Sequence, residues 1–183
     1  MSGYHTGNLA VVIPVYNDPV GIKASLGALR ARPLDSVVVV DNASTDKTGS
    51  VVDRYANDAD TVERLVDSAV QSSYAARNTG IRHTDTDVIA FLDADMTVTD
   101  DYFDRALSHL CENDLGYLGC RVDLTIPDGE DTLTARYNAH TTFPVQQYIA
   151  RHRYAPTCAL FCRREVFEDV GLFDPRLVSG GDM

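Results

Sequence analysis

Four apolar runs divide the first half of the chain. They are rich in β-branched residues and contain few polar positions, which is typical of strands that are covered on both sides. The runs are LAVVIPVY (9–16), SVVVV (36–40), TVERLV (61–66) and DVIAFL (87–92). We therefore predict four strands, most of them buried on both faces of a sheet.

The segments between these runs carry apolar residues at helical spacing. Asp18 and Pro19 can cap and begin the first helix, and Asp46 can cap the second. The third helix is predicted in SSYAARNTGIRH (72–83), and the fourth begins near Asp100. The apolar positions that define the other three are Ile22, Leu26, Leu29, Val51, Val52, Tyr55, Phe103, Leu107 and Leu110. The alternation predicts an α/β fold, with a mostly parallel sheet, right-handed crossovers and helices on both faces.

Composition limits the classes to which the chain can belong. Its 183 residues suit one domain, and no apolar run approaches the ~20 residues of a membrane-spanning helix. The N-terminus, MSGYHTGNLA, lacks the basic and apolar regions of a signal peptide, so we expect a cytoplasmic protein without a membrane span. The four cysteines fit neither zinc-site nor disulfide spacing, and we expect them to be reduced core thiols.

The chain is strongly acidic. It has 27 acidic residues, 22 of them Asp, against 16 basic ones, and its net charge is −11. Because no stripe of Lys or Arg is present to displace counterions, we expect no nucleic-acid partner. Such a surface stays hydrated in concentrated salt and resembles the surfaces of halophilic proteins, although a GC-rich genome explains the composition equally well.

Polar residues follow three of the predicted strands. In chain order they are Tyr16, Asn17 and Asp18, then Asp41 and Asn42, then Asp93 and Asp95. The carboxyl ends of parallel strands share one edge of an open α/β sheet, and ligands bind at that edge. Asp18 and Asn42 also have a purely structural explanation, as a helix cap and a turn former.

Asp93 and Asp95 are harder to explain structurally. Two carboxylates separated by one residue at the end of an apolar strand repel each other and lose solvation. A shared cation would remove this cost, and carboxylates without a nearby His or Cys suit Mg²⁺ or Mn²⁺. The sequence contains neither G-x-x-x-x-G-K-[ST] nor G-x-G-x-x-G, so a metal would have to bind the phosphates of a substrate.

Five motifs resemble, in order and spacing, those of family 2 glycosyltransferases with the GT-A fold. They are VVIPVYND (11–18), VVVVDNASTDKT (37–48), SSYAARNTGI (72–81), FLDADMTV (91–98) and LFCRREVFEDVGLFDPRLVSGGDM (160–183). The resemblance covers essentially the whole chain. It implies a single Rossmann-like GT-A domain over residues 1–183, which ends short of the acceptor-side region that follows the last motif in relatives.

The resemblance implies a donor site at the first two strand ends. Pro14, Tyr16 and Asn17 match a motif whose position suits packing against the nucleotide base, and Asp18 stands where many relatives have Glu. Asp41 matches an aspartate that hydrogen-bonds the base, typically uracil.

The later motifs imply the rest of the site. Arg77 and Asn78 match a pair near the nucleotide, although a salt bridge to a strand-end aspartate would also explain Arg77. Asp93 and Asp95 match the motif that contacts the ribose and the metal. Of the two, Asp95 is favoured as the direct ligand of the metal. Asp182 matches the general base that deprotonates the acceptor hydroxyl.

The implied reaction is transfer of a sugar from a nucleotide-sugar, typically a UDP-sugar, with inversion at the anomeric carbon. Asp182 would take the proton of the acceptor while Mn²⁺ or Mg²⁺ on Asp95 neutralises the departing diphosphate. The acceptor stays open: a saccharide, a lipid-linked molecule or a protein.

Two other classes compete with this hypothesis. An apolar strand followed by DADMT is also typical of haloacid-dehalogenase-type phosphatases, but these need a downstream lysine, and none follows Lys47. A non-catalytic domain that binds a nucleotide-sugar or another protein remains the second alternative, because part of the acceptor side is missing from the motif set.

Overall fold

The computed structural model describes residues 9–126, 129, 131–141, 145–152 and 154–177. Strands and helices alternate through most of this range. In chain order the elements are β1 (Leu9–Val15), α1 (Pro19–Leu29), β2 (Ser36–Asp41), α2 (Thr48–Asp58), β3 (Val62–Val66), α3 (Ser73–His83), β4 (Val88–Leu92), α4 (Tyr102–Glu112), β5 (Tyr117–Gly119), α5 (Leu133–Thr141), α6 (Val145–His152), β6 (Ala159–Arg163) and α7 (Arg164–Val170).

The strands form one sheet in the order β3-β2-β1-β4-β6-β5. β1 to β4 run parallel, and β6 is antiparallel to both of its neighbours, β4 and β5. The four predicted strands and the mostly parallel sheet are therefore confirmed. β5 and β6 extend the sheet beyond the strands that the sequence pattern predicts.

Helices cover both faces of the sheet, as predicted. Alternate residues of β1 point to opposite sides: Leu9 and Ile13 join a core cluster with α1, α2 and α4, whereas Val12 joins one with α3 and α7. Every residue of β1 is buried. Two apolar layers thus enclose the central strands, and the polar residues are left at the strand ends.

β3 differs from the expected buried strands. It pairs only with β2, and every one of its residues is at least partly exposed, including Val66 at 60%. The run TVERLV looks apolar in sequence, but an edge strand is covered less completely than a central one. Arg64, at its centre, therefore has room to extend along the surface of the sheet.

Helix capping follows the prediction in α1 and departs from it in α2. Asp18 Oδ1 accepts a hydrogen bond from Gly21 N at 2.8 Å, so Asp18 caps α1. In α2 the cap position is held by Lys47 rather than Asp46. Asp46 lies one residue earlier and still accepts a bond from Thr48 N at 2.9 Å, which satisfies one free amide of the first turn.

The cysteines are free thiols, as predicted, and the part of the chain with described coordinates contains no disulfide. Cys158 and Cys162 are buried, whereas Cys111 and Cys120 are partly buried. Burial raises the pKa of Cys162 to about 12. Over the same ranges, no helix combines the length and the apolar character that crossing a bilayer requires.

Candidate functional site

The loops that follow β1 and β2 are joined at the carboxyl edge of the sheet. Asn42 N donates to Val15 O at 2.8 Å and extends the pairing of the two strands. Asn17 adopts a left-handed backbone conformation (φ 51°). Its Oδ1 accepts from Thr45 N at 2.8 Å, and its own N donates to Ser44 Oγ at 3.0 Å. The first two predicted polar groups therefore lie side by side.

The other residues of the first motif have different surroundings. Pro14 is buried inside β1, opposite Val40 of β2. Tyr16 follows the strand and is 48% exposed. Asp18 is engaged as the cap of α1. Of these side chains, Tyr16 offers an aromatic ring to a ligand at the edge, while Pro14 is part of the sheet.

Asp41 is almost completely buried, with 1% of its surface exposed. Its Oδ2 accepts from Arg64 Nη2 at 2.9 Å, and its Oδ1 accepts from Ser44 N at 2.8 Å. Arg64 also contacts Asp53 at 3.0 Å. Burial alone would lower the pKa of Arg64, but its hydrogen bonds to Asp41 and Asp53 raise it overall. Asp41 is thus a buried carboxylate, paired with Arg64, beneath the loop that carries Ser44.

Asp93 forms an ion pair with Arg77 across the carboxyl edge. Arg77 Nη2 lies 2.6 Å from Asp93 Oδ1, and the arginine side chain is 4% exposed against 41% for the aspartate. The Arg77 guanidinium also lies over the ring of Tyr74, 5.6 Å from its centre. The structural explanation for Arg77, a salt bridge to a strand-end aspartate, is therefore observed, and it places a buried cation beside the paired carboxylates.

Asp95 contrasts with Asp93. It is exposed, and within the described residues its carboxylate has no hydrogen-bond or ion-pair partner. The described ranges contain no group of three or more His, Cys, Asp or Glu side chains that could hold a metal ion. The Asp95 carboxylate beside the Arg77-paired Asp93 fits Mg²⁺ or Mn²⁺, since these ions often bind one or two carboxylates and complete their coordination with water and phosphate oxygens.

Ser25 is a residue of this site that the sequence analysis missed. It lies on the buried side of α1, and its Oγ is 2.8 Å from Ala94 O and 2.5 Å from Met96 O. Its hydroxyl therefore fastens the loop that carries Asp93 and Asp95 to α1. A serine at a position where helical spacing predicts an apolar side chain was the available signal.

Asn78 is buried, but its partners are far along the chain. Its Nδ2 donates to Phe173 O at 2.8 Å, and its Oδ1 accepts from Phe173 N at 3.1 Å. A nucleotide contact by Asn78 stays a prediction, as does the role of Asp182, which lies outside the described residues.

Solved structures of similar fold include a mannosyltransferase and TarS. The mannosyltransferase PcManGT of Pyrobaculum calidifontis, in complex with GDP-Man and Mn²⁺, has a TM-score of 0.73 and 23% identity, and the match covers 93% of this chain and 48% of that one. TarS of S. aureus, in complex with UDP-GlcNAc, has a TM-score of 0.60 and 18% identity, with 88% and 46% covered. The likeness shows that the fold is GT-A.

Curated relatives are more similar in sequence. Glycosyltransferase AglE of Haloferax volcanii is 35% identical over 179 residues, which are 96% of this chain and 59% of AglE. The pre-mycofactocin glycosyltransferase of Mycobacterium tuberculosis is 32% identical over 189 residues, covering 100% of this chain and 39% of the relative. The chain thus spans 59% of the length of AglE and 39% of the length of the mycobacterial relative. The profile described as Glycosyl transferase family 2 matches residues 10–171, and the chain belongs to this family.

Proposed function

We propose that this chain transfers a sugar from a nucleoside diphosphate donor, a UDP-sugar, to an acceptor hydroxyl with inversion and with help from a divalent metal. One observation carries the proposal: Asp95 is exposed and unpaired among the described residues, at the end of β4, beside the Arg77–Asp93 pair. A free carboxylate next to a buried cation suits a metal-bound diphosphate, because the carboxylate can bind the metal ion while the cation attracts the diphosphate.

The nucleoside would bind over the joined β1 and β2 loops. Tyr16 supplies an exposed ring for the base, Asn17 fixes the loop, and Asp41 lies beneath it with Arg64 as its counterion. Neighbours of the same fold are solved with GDP-Man and with UDP-GlcNAc, which supports a nucleotide-sugar as donor. Uracil is proposed as the base because the motif around Asp41 resembles the uracil-binding form.

The diphosphate would lie against Asp93, Asp95 and Arg77. Asp95 and Asp93 would hold Mn²⁺ or Mg²⁺. When bound, the ion would neutralise the charge that develops on the leaving diphosphate. Without the ion, the ion pair with Arg77 balances the charge of Asp93 and so keeps the carboxylate ordered.

The transfer itself needs a base on the acceptor side. Asp182 would accept the proton of the acceptor hydroxyl as the acceptor oxygen bonds to the anomeric carbon. The bond between that carbon and the phosphate oxygen breaks in the same step, and the electron pair leaves with the nucleoside diphosphate. A single displacement of this kind inverts the anomeric centre. The acceptor is a saccharide, a lipid-linked molecule or a protein.

Calorimetric titration of UDP and GDP, with and without Mn²⁺, tests the donor site. The wild type should bind UDP only when Mn²⁺ is present, and Asp95→Ala should lose that binding. Asp104→Ala is the matched control, because it removes an exposed carboxylate of α4 that is not one of the predicted site residues. Silence with both nucleotides under both conditions would refute the proposal, whereas metal-dependent binding without any turnover would favour the non-catalytic alternative.

A further inference from the structure

Ser25 is a polar side chain on the buried face of α1. The other buried residues of that face are Ile22, Leu26 and Leu29, and Ser25 itself has no exposed surface. A buried hydroxyl is unfavourable unless it is hydrogen-bonded, and alanine would form the helix more readily. The serine is therefore explained by what its hydroxyl binds rather than by the packing of α1.

The hydroxyl of Ser25 binds the backbone on both sides of Asp95. Its Oγ lies 2.8 Å from Ala94 O and 2.5 Å from Met96 O, so the two carbonyl oxygens share one donor. The chain between β4 and α4 contains neither helix nor strand. The loop therefore depends on individual contacts of this kind to keep its shape.

The loop that carries Asp95 alternates in exposure. Ala94, Met96 and Val98 are partly buried and pack against the core cluster that includes α1, whereas Asp95 is exposed. The two carbonyl groups that contact Ser25 thus belong to inward-facing residues. Ser25 holds the inner side of the loop, and the Asp95 carboxylate is left on the outer side.

The same helix begins at the loop proposed to hold the nucleoside. Asp18 caps α1 and follows Tyr16 and Asn17, and Ser25 lies seven residues further along the chain. With a rise of ~1.5 Å per residue, this separation is about 10 Å along the helix axis. α1 is therefore a rigid link between the loop proposed for the base and the carboxylates proposed for the metal.

We propose that Ser25 is a positioning residue, which orients Asp95 for binding of a divalent metal and fixes its distance from the nucleoside loop. The proposal rests on the proposed function, because it takes Asp95 as a ligand of Mn²⁺ or Mg²⁺. Groups that orient a metal ligand without touching the metal change its affinity by about 10- to 100-fold when they are removed. Loss of the Ser25 hydroxyl should therefore weaken metal binding, although Ser25 contacts only the backbone of the loop.

The test compares Ser25→Ala with Tyr55→Phe. Ser25→Ala removes both contacts to the loop, and alanine suits a helix at least as well as serine. Tyr55 Oη, on α2, donates to Lys23 O at 3.2 Å. Tyr55→Phe therefore removes a hydroxyl contact from the same helix without touching the loop.

Arg32→Met is a second control, because it loosens the same loop at its other end. Arg32 follows α1, and its guanidinium contacts Val98 O at 3.5 Å and Asp100 Oδ1 at 2.6 Å. Both contacts lie at least three residues beyond Asp95. If Ser25 only stabilised the loop as a whole, Arg32 would share that role.

Electron paramagnetic resonance of free Mn²⁺ measures metal binding without any turnover. With UDP present, and separately with GDP, Ser25→Ala should raise the Kd for Mn²⁺ by about 10-fold or more. Tyr55→Phe and Arg32→Met should stay within about twofold of the wild type, because neither variant changes the backbone that flanks Asp95. An unchanged Kd in Ser25→Ala, or an equal rise in Arg32→Met, would overturn the proposal.

Amide hydrogen exchange of the metal-free protein is the second readout. Met96 N donates to Asp93 O at 3.1 Å and closes the turn around Asp95. Ser25→Ala should speed exchange of the Met96 amide by on the order of 10-fold, whereas Tyr55→Phe should leave it unchanged. Equal exchange in the two variants would show that Ser25 does not hold the turn, and the proposal would fail.

The wild type decides whether the proposed function itself fails. If it binds Mn²⁺ with neither UDP nor GDP, both the metal site and the role of Ser25 are refuted. If it binds Mn²⁺ and Ser25→Ala binds the ion equally well, only the positioning role of Ser25 is refuted, and the donor site stands.

Discussion

At the scale of single residues, two arginines balance the carboxylates of the candidate donor site. Arg77 reaches Asp93 from α3, and Arg64 reaches Asp41 from β3. Both arginines come from elements adjacent to the strand ends, and both are mostly or entirely buried. An anionic diphosphate would be repelled by a cluster of bare carboxylates, so these fixed cations make an acidic edge compatible with such a ligand.

The two aspartates of the DAD motif should respond differently to removal. Asp93→Ala would leave Arg77 buried without its carboxylate, and a buried donor that loses its partner costs about 1–3 kcal/mol, or more when the donor is charged. The lower part of this range applies, because Asp93 is 41% exposed and water can partly replace it. Asp95→Ala removes an exposed side chain and should change the free energy of unfolding by less than about 0.5 kcal/mol. Urea unfolding without metal measures both.

Equal losses of unfolding free energy in Asp93→Ala and Asp95→Ala would contradict the expectation that only Asp93 has a structural partner to lose. The double variant Asp93→Ala with Arg77→Met provides the control. It removes the stranded charge and should recover part of the stability that Asp93→Ala loses.

Residue roles differ in how far the sequence could predict them. Asp18 as a cap follows from its neighbours, and the pairing of Arg77 with a strand-end aspartate was one of two open explanations. The partners of Arg64, Ser25 and Asn78 lie 23, 69 and 95 residues away. Local patterns contain no information on such contacts, which exist only once the sheet order is known.

At the scale of elements, periodicity predicted β1 to β4 and α1 to α4 because each is long enough to show a repeat or an unbroken apolar run. β5 has only three residues. β6 has five, as many as β3 and β4, but it pairs antiparallel across a long connection, and no local pattern predicts that pairing. The edge position of β3 was also hidden, since burial of a strand depends on how many neighbours it has.

The packing of α3 on β1 leads to a prediction about Gly80. A Cβ at this position would lie well inside van der Waals contact with Val12 Cγ1. Gly80→Ala should therefore destabilise the fold by about 1–3 kcal/mol through overpacking, despite the higher helix propensity of alanine. Thermal and urea unfolding measure the change.

Gly27 is the matched control, because it also lies in a helix. A Cβ there would meet Tyr55 Oη at an ordinary 3.6 Å, so Gly27→Ala should stabilise by about 0.5–1 kcal/mol. Stabilisation by both alanines would show that helix propensity, rather than the contact with Val12, decides the outcome at Gly80.

The antiparallel pair β5 and β6 should make the fold sensitive to alkali. Burial raises the pKa of Cys162 from 9.0 to about 12, so above pH 9 the unfolded chain loses this proton while the folded chain keeps it. The contribution of the protonated Cys162 thiol to the free energy of unfolding is fully present below pH 9. The free energy of unfolding should fall by up to about 1.4 kcal/mol per pH unit between pH 9 and 12.

Unfolding curves at pH 8, 9, 10 and 11 test this dependence in the wild type and in Cys162→Ala. The variant should be less stable at pH 8 because it leaves a small cavity, but its stability should decline less steeply with pH. Parallel plots of unfolding free energy against pH for the wild type and Cys162→Ala would mean that folding does not change the pKa of this thiol.

At the scale of the whole molecule, charge is the dominant feature outside the core. The excess of acidic residues gives a net charge of −11 in 20.1 kDa, so the folded chain repels itself at low ionic strength. Exposed ion pairs such as Arg176–Asp174 offset little of this, since each contributes about 0–1 kcal/mol and weakens with salt. Screening should therefore remove more repulsion than attraction.

The thermal midpoint of unfolding should accordingly rise as KCl increases from 0.1 to 2 M, over which the screening length falls from about 10 Å to below about 3 Å. A variant with Asp60→Asn, Asp85→Asn and Glu112→Gln removes three exposed negative charges for which the described residues provide no ion-pair partner. Its thermal midpoint should be higher than that of the wild type at 0.1 M KCl and should approach the wild-type value at 2 M, because the repulsion that it relieves is already screened there.

Scanning calorimetry of both proteins across the salt series measures how steeply each thermal midpoint depends on KCl. Parallel slopes would assign the salt effect to strengthened apolar burial rather than to charge, since exclusion of salt from the surface acts equally on both proteins.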